Sequence, residues 1–235
     1  MTGSEMLTWG TMEASPHSSG DSPGYLVLVL SLGRGWLETV RLILTKGHKR
    51  SYDGSPILEV GLLDLVVDDP SWSDGLIERF GDPERLSWMK SNFEDRSAVE
   101  ELGGAASYAT RLYDYEGSGR DQVAWATEKL RNDPDSRAAI ITTLQPLSDS
   151  SYIPCVSLLQ FWMPGDHLEL IVTAHSIDFG TKGYANLIEL ARIQEHVATS
   201  LAAPIGRLML RISSAHLYGR DLDAVRAILL ASEAP

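Results

Sequence analysis

From Tyr152 to Asn186 the chain reads YIPCVSLLQFWMPGDHLELIVTAHSIDFGTKGYAN, and this stretch constrains the fold more than any other. Two short apolar runs, Leu158 to Met163 and Leu168 to Val172, flank Pro164-Gly165-Asp166. Runs of this length around a Pro/Gly/Asp turn specify a β-hairpin. The single cysteine, Cys155, stands just before the first strand, and the polar cluster His175, Ser176 and Asp178 follows the second. A long helix is expected over Tyr184–Leu201, because Leu187, Leu190, Ala191, Val197, Ala198 and Leu201 recur at helical spacing, and Asn186 lies in its first turn. A thiol, a hydrogen-bonding cluster and an amide brought together this closely mark a reaction site.

The rest of the chain must supply a core for that hairpin. At 235 residues, one sizeable core and a single domain with helices and strands is the expectation, with 43% hydrophobic and 22% charged residues excluding disorder and membrane classes. The net charge of -12 opposes non-specific binding to nucleic acid, which depends on neutralising phosphates. It leaves room for one nucleotide, since a few convergent arginines make a local anion site. One cysteine permits no internal disulfide and points to a reducing, cytoplasmic setting in which the thiol is free to react. Residues 1–24, rich in Ser, Gly, Thr and Pro, read as a flexible leader, leaving 25–235 as the domain. The apolar run Tyr25–Leu32 is too short to span a membrane and lacks the basic flank of a signal peptide.

Before the hairpin, a helix is expected over Trp36–Thr45, then Arg50 in a loop with Asp53-Gly54, then a strand over Ile57–Val67. Helical stretches Ser73–Phe80 and Pro83–Phe93 carry Asp74, Glu78 and Glu84. A small-residue loop, Gly103 to Ser107, leads to Tyr108. A helix over Arg120–Leu130 ends at Asn132-Asp133-Pro134, and Arg137 opens a strand over Ala138–Thr143. After the long helix, a strand over Leu208–Ile212 delivers His216 and Tyr218, whose i, i+2 spacing puts both on one face of an extended segment.

Pro154-Cys155, Gln160-Phe161, Ser176-x-Asp178, Asn186 and Ala215-His216-x-Tyr218, preceded by Asn132-Asp133-Pro134-Asp135-Ser136-Arg137, resemble in order and spacing the thymidylate synthases and their relatives, the pyrimidine-nucleotide hydroxymethylases. The resemblance runs from about Leu37 to Val225 and is weak between Pro70 and Gly104. It implies an α+β fold, a mixed sheet packed with helices and homodimeric through the sheet. It also implies C5 modification of a pyrimidine nucleoside monophosphate through a cysteine adduct at carbon 6, with 5,10-methylenetetrahydrofolate as one-carbon donor.

By this resemblance Cys155 is the nucleophile. Arg50, Arg137, His175 and Ser176 meet the phosphate, with Arg137 serving the partner subunit. His216 and Tyr218 meet the sugar, and Gln160, Asp178 and Asn186 belong to the substrate site. Tyr108 could assist proton removal or be a core tyrosine with a satisfied hydroxyl; Arg50 could equally be a solvated surface arginine. The chain departs from the family's pattern in four places. Ala138 replaces the second of two adjacent arginines, His175 stands where an arginine is usual, the glutamate that relays protons has no clean match, and a folate-covering tail is absent. Asp74 or Glu78 could substitute for the glutamate, or be solvated helix charges.

The chemistry explains the residue types. A pyrimidine carbon 5 is a poor nucleophile until a thiolate adds to carbon 6, so the thiol needs a lowered pKa from a neighbouring arginine or hydrogen-bond donor. Charge developing on the ring carbonyl needs donors. Asn186 offers both donor and acceptor to a uracil edge, whereas the cytosine-specific relatives commonly carry aspartate there. The alternative is a drifted paralogue that binds a nucleotide, or a folate-independent thiol-addition enzyme on the same scaffold.

Overall fold

A computed structural model describes residues 24–149 and 152–233. The expected leader, residues 1–24, lies outside these apart from Gly24. The described elements are, in order, β1 (Tyr25–Val29), α1 (Leu32–Lys46), β2 (His48–Tyr52), β3 (Ser55–Val67), α2 (Gly75–Phe80), α3 (Pro83–Glu94), β4 (Ala98–Val99) and β5 (Ala105–Ala106). There follow α4 (Tyr108–Tyr113), α5 (Gln122–Asn132), β6 (Ile140–Thr142), β7 (Val156–Trp162), β8 (Leu168–Ala174), β9 (Ile177–Asp178), α6 (Gly183–Leu201), β10 (Ile205–Tyr218) and α7 (Leu222–Glu233). The α+β expectation holds: one mixed sheet runs β1-β3-β10-β8-β7-β6, with β2 added on β3 and β9 on β10. Strands β1 and β3, β10 and β8, and β9 and β10 pair in parallel; the remaining pairs are antiparallel.

Helix α6 explains why the sheet holds together as a core. Leu187, Leu190, Ala191, Val197 and Ala198 are buried, and so are the polar Asn186, Glu189 and Gln194. It packs on β8 and β10 and is flanked by α1, α3 and α5, so almost its whole circumference is covered. Each large apolar side chain buried this way contributes about 1.5–3 kcal/mol. Gly183 begins the helix because nothing larger fits: a Cβ there would lie 2.9 Å from the Phe179 ring. Trp36 of α1 donates its indole N–H to the Phe179 carbonyl at 2.9 Å and tilts against Tyr184. The segment joining β9 to α6 is thereby held from both sides.

Several boundaries differ from expectation for local reasons. Helix α1 starts four residues before Trp36, since Leu32 and Gly33 pack inward and Gly33 N–H donates to the Asp74 carboxylate at 2.8 Å. Arg50 is not in a loop but in β2, because Asp53 and Gly54, with φ of 46° and 71°, form a two-residue hairpin turn closing β2 on β3. Helix α5 begins at Gln122 with Asp121 as its cap, and β6 shrinks to Ile140–Thr142. Strand β10 extends from Ile205 through Tyr218, so His216 and Tyr218 lie within it. Along β3 the inward positions are Val60, then Leu63, Leu65 and Val67; the alternation slips at Leu62, whose φ is 54°. Among the described residues, no helix is long and apolar enough to cross a membrane.

Candidate active site

The hairpin β7–β8 pins Cys155 by its backbone. The Cys155 carbonyl accepts the His175 N–H at 3.0 Å across the hairpin, and the next amide, Val156 N–H, donates to the Tyr108 hydroxyl at 3.0 Å. The half-buried thiol opens onto a cavity of about 610 Å³, within the range of about 300–1,000 Å³ usual for small-molecule sites. His175, Ser176, Asp178, Asn186, His216 and Tyr218 line the same cavity. So do Tyr52, Asp53, Glu101, Tyr152 and Lys182, which sequence reasoning did not single out.

Topology accounts for the gathering. Pairing of β9 with β10 sets Asp178 beside His216, and β3 on the other side sets Glu59 beside the same histidine. Ser176 Oγ lies 3.4 Å from His216 Nδ1. The His216 ring meets Tyr218 edge-on, with centroids 5.2 Å apart, and Tyr52 at 5.8 Å. The Asp178 carboxylate accepts the Gly180 N–H at 2.9 Å and the Thr181 hydroxyl at 2.6 Å, forming the turn that feeds α6. One turn into that helix, the Asn186 side chain donates through Nδ2 to the Lys182 carbonyl at 3.1 Å. That bond fixes the amide, because a carbonyl can only accept. Asn186 Oδ1 is left buried without a partner, as are His175 Nδ1 and His216 Nε2.

Burial dominates the electrostatics. It pushes both His175 and His216 below the ordinary imidazole value, although Asp178 and Glu59 pull His216 the other way. It also pushes the Cys155 thiol up; the Lys182 ammonium opposes the rise, Asp178 adds to it, and a hydrogen bond with Tyr152 opposes it again. The expectation of a thiol lowered by a neighbouring arginine or hydrogen-bond donor is therefore corrected: the Tyr152 hydrogen bond acts in that direction, but burial outweighs it. Among the described residues no arginine lines this cavity, and Lys182 is its lysine.

Four expected site residues lie off the cavity wall. Tyr108 is buried behind the thiol with its hydroxyl accepting from Val156. Arg50 lies on the same face of β2 as Tyr52 and one pleat away; its side chain is 64% exposed, 4.0 Å from Glu59. Arg137 is exposed ahead of edge strand β6, and Gln160 donates to its carbonyl at 3.1 Å. Asp74, weighed as a substitute acid, is a buried cap that accepts the Leu76, Ile77 and Gly33 amides. Glu78 is exposed and takes a hydrogen bond from Ser73 at 3.2 Å. The glutamate that does line the cavity is Glu101, in the turn between β4 and β5, beside Asp53 and Asp178. Among the described residues, no group of three His, Cys, Asp or Glu side chains is arranged to hold a metal ion.

The family model described as thymidylate synthase matches residues 72–234. A protein of Methanosarcina barkeri is 28% identical over 215 residues, covering 88% of this chain and 95% of its own length. One of Methanopyrus kandleri is 32% identical over 195 residues, covering 80% of this chain and 90% of its own length. Both carry the name "Putative thymidylate synthase". The bifunctional dihydrofolate reductase-thymidylate synthase of Paramecium tetraurelia is 27% identical over 123 residues, or 52% of this chain and 27% of that protein.

Proposed function

The chain belongs to the thymidylate synthase family, and from that premise we propose that it transfers a one-carbon unit to carbon 5 of a uracil nucleoside monophosphate through a Cys155 adduct at carbon 6. The observation that carries this reading is the single cavity that Cys155 shares with His175, Ser176, Asp178, Asn186, His216 and Tyr218, with Asn186 Oδ1 buried without a hydrogen-bond partner in its wall. A buried polar atom without a partner costs about 1–3 kcal/mol, so a ligand that pairs the Asn186 amide gains accordingly. A nucleotide offers matching groups: a base edge for Asn186, a sugar hydroxyl for His216 and Tyr218, and a phosphate for His175 and Ser176.

In the reaction Cys155 gives up its thiol proton to water, and the thiolate forms the bond to carbon 6. The pair from the C5=C6 bond moves onto the ring carbonyl, where the remaining Nδ2–H of Asn186 is the donor, while Oδ1 accepts the ring N–H. After carbon 5 has accepted the one-carbon unit its proton leaves to solvent, and expulsion of the thiolate restores the double bond.

The residues beside the thiol fit methylenetetrahydrofolate. Trp88 presents its indole 5.3 Å from Lys182 Nζ, and a second cavity of about 340 Å³, lined by Trp88 and Asn92, shares Glu101 with the first. Trp88 would stack on a flat ring, and Glu101 and Asp178 would accept from its amino groups. When bound, this group would supply the one-carbon unit and, for a methyl product, a hydride; for a hydroxymethyl product solvent water would add instead.

The phosphate also needs permanent positive charge. A homodimer through the open sheet face would bring Arg137 of one subunit to the other, with Arg50 closing from β2. Leu26 and Leu28, 63% and 66% exposed on that face, support the assembly. A second reading, a nucleotide-binding paralogue without chemistry, is favoured by the cavity wall, on which no arginine lies among the described residues.

Titration with uridine and cytidine monophosphates, ribose and deoxyribose, tests the base assignment. The wild type should prefer uridine and Asn186→Asp should shift the preference towards cytidine. An unchanged preference would remove Asn186 from the base site.

A further inference from the structure

The Cys155 thiol shares its cavity with Asp178, and neither neighbouring histidine supplies charge to offset that carboxylate, since burial holds both rings neutral at pH 7. Yet nucleophilic addition requires a thiolate. Lys182 stands where it can meet that need. Its backbone caps α6, with its N–H donating to the Asp178 carbonyl at 3.2 Å and its own carbonyl accepting twice from Asn186, at 2.9 Å from the amide and 3.1 Å from Nδ2. The lysine is thus fixed between the acid that opposes ionisation and the amide that would hold the base. Its ammonium rests 5.3 Å from the Trp88 ring centroid, and among the described residues no carboxylate lies within salt-bridge distance of it. A half-exposed lysine on an indole, facing the cavity and without an acidic partner, is a cation held in reserve.

Resting on the proposed role of Cys155 as nucleophile, we propose that Lys182 is the positioning residue that favours formation of the Cys155 thiolate in their shared cavity, its ammonium serving as counter-ion. The thiol proton goes to water, the electron pair stays on sulfur, and the ammonium keeps all its protons. Groups from every side face the thiol's cavity: Asp178 from β9, Tyr152 from the segment before β7, Tyr52 from β2, His175 from between β8 and β9, His216 from β10 and Lys182 from the start of α6, with the Tyr108 hydroxyl behind on the Val156 amide. Lys182 is the cation among them. Lowering of the thiol by Lys182, against the push of burial, agrees with this role.

The test needs no nucleotide. Cys155 is the chain's single cysteine, so alkylation by iodoacetamide, followed by mass, reads one site across pH. Lys182→Met should raise the midpoint of the alkylation profile by about one pH unit, slowing the reaction at pH 7 about tenfold, and Lys182→Gln should behave alike. Lys182→Arg should keep the wild-type profile, with thermal midpoints of all variants close to wild type. A Lys182→Met profile superimposed on wild type would overturn the proposal, as would a Lys182→Arg profile matching that of Lys182→Met. A shifted profile in a protein that releases no label from any pyrimidine nucleotide would leave Lys182 in this role and reject the one-carbon transfer instead.

Discussion

The Tyr108 hydroxyl accepts the Val156 N–H at 3.0 Å, one residue past Cys155 and out of solvent. A tyrosine from a short helix thereby sets where the nucleophile's strand begins. Tyr108→Phe leaves that buried amide without a partner and should destabilise the fold by about 1–3 kcal/mol. Urea unfolding measures this directly. A variant as stable as wild type would mean that the bond carries no structural load, and that any lost activity comes from the hydroxyl acting on substrate.

Acid should loosen the site through its histidines. Burial lowers His175 and His216 in the folded state, so the unfolded chain, with imidazoles near about 6.5, binds more protons as pH falls. Their contribution to stability is therefore complete above about pH 6.5 and is lost as pH falls towards the folded values. Denaturation midpoints should drop between pH 7.5 and 5.5, and His216→Gln should flatten that slope. Equal slopes in variant and wild type would contradict the assignment.

Much of this site was legible because it is local in sequence. Cys155, His175, Ser176, Asp178 and Asn186 arrive on one hairpin and the following helix, and His216 and Tyr218 share a strand face. Lys182 sits in that very stretch, four residues before Asn186, but a lone lysine carries no pattern that marks it as part of a site. Arg50 was misplaced although Asp53-Gly54 carries a strong hairpin signal. Tyr52 and Glu101 come from separate segments, and only the pairing of β2 with β3 and the turn between β4 and β5 bring them to the cavity. Gln160 depends on register: β7 shifts between Val156 and Leu158, so counting from Cys155 does not tell which face a later residue occupies. Asp74 looked like a solvated charge because its partner Gly33 is far away in the chain.

The proposed dimer makes each phosphate site a joint product of two subunits. Cys155→Ala and Arg137→Ala proteins should each be inactive or nearly so, whereas mixing them under conditions of subunit exchange should restore activity. In a mixed dimer, one site keeps Cys155 from one chain and Arg137 from the other. No recovery on mixing, with exchange shown by mass, would place Arg137 outside the partner's site, and a monomer by light scattering at micromolar concentration would remove the dimer altogether.

Nucleophilic addition by Cys155 is most directly read from the hydrogen at carbon 5. Once sulfur has bonded to carbon 6, that hydrogen becomes removable, and tritium placed there on a uridine monophosphate should appear in water in the presence of methylenetetrahydrofolate. Wild type should release label, while Cys155→Ala should release none and still bind nucleotide, because phosphate and sugar contacts come from other residues. Cys155→Ser should match the alanine variant, a hydroxyl being far less ionised than a thiol near neutral pH. Label release that persists in Cys155→Ala, or a wild type that binds nucleotide tightly and releases nothing, would contradict it.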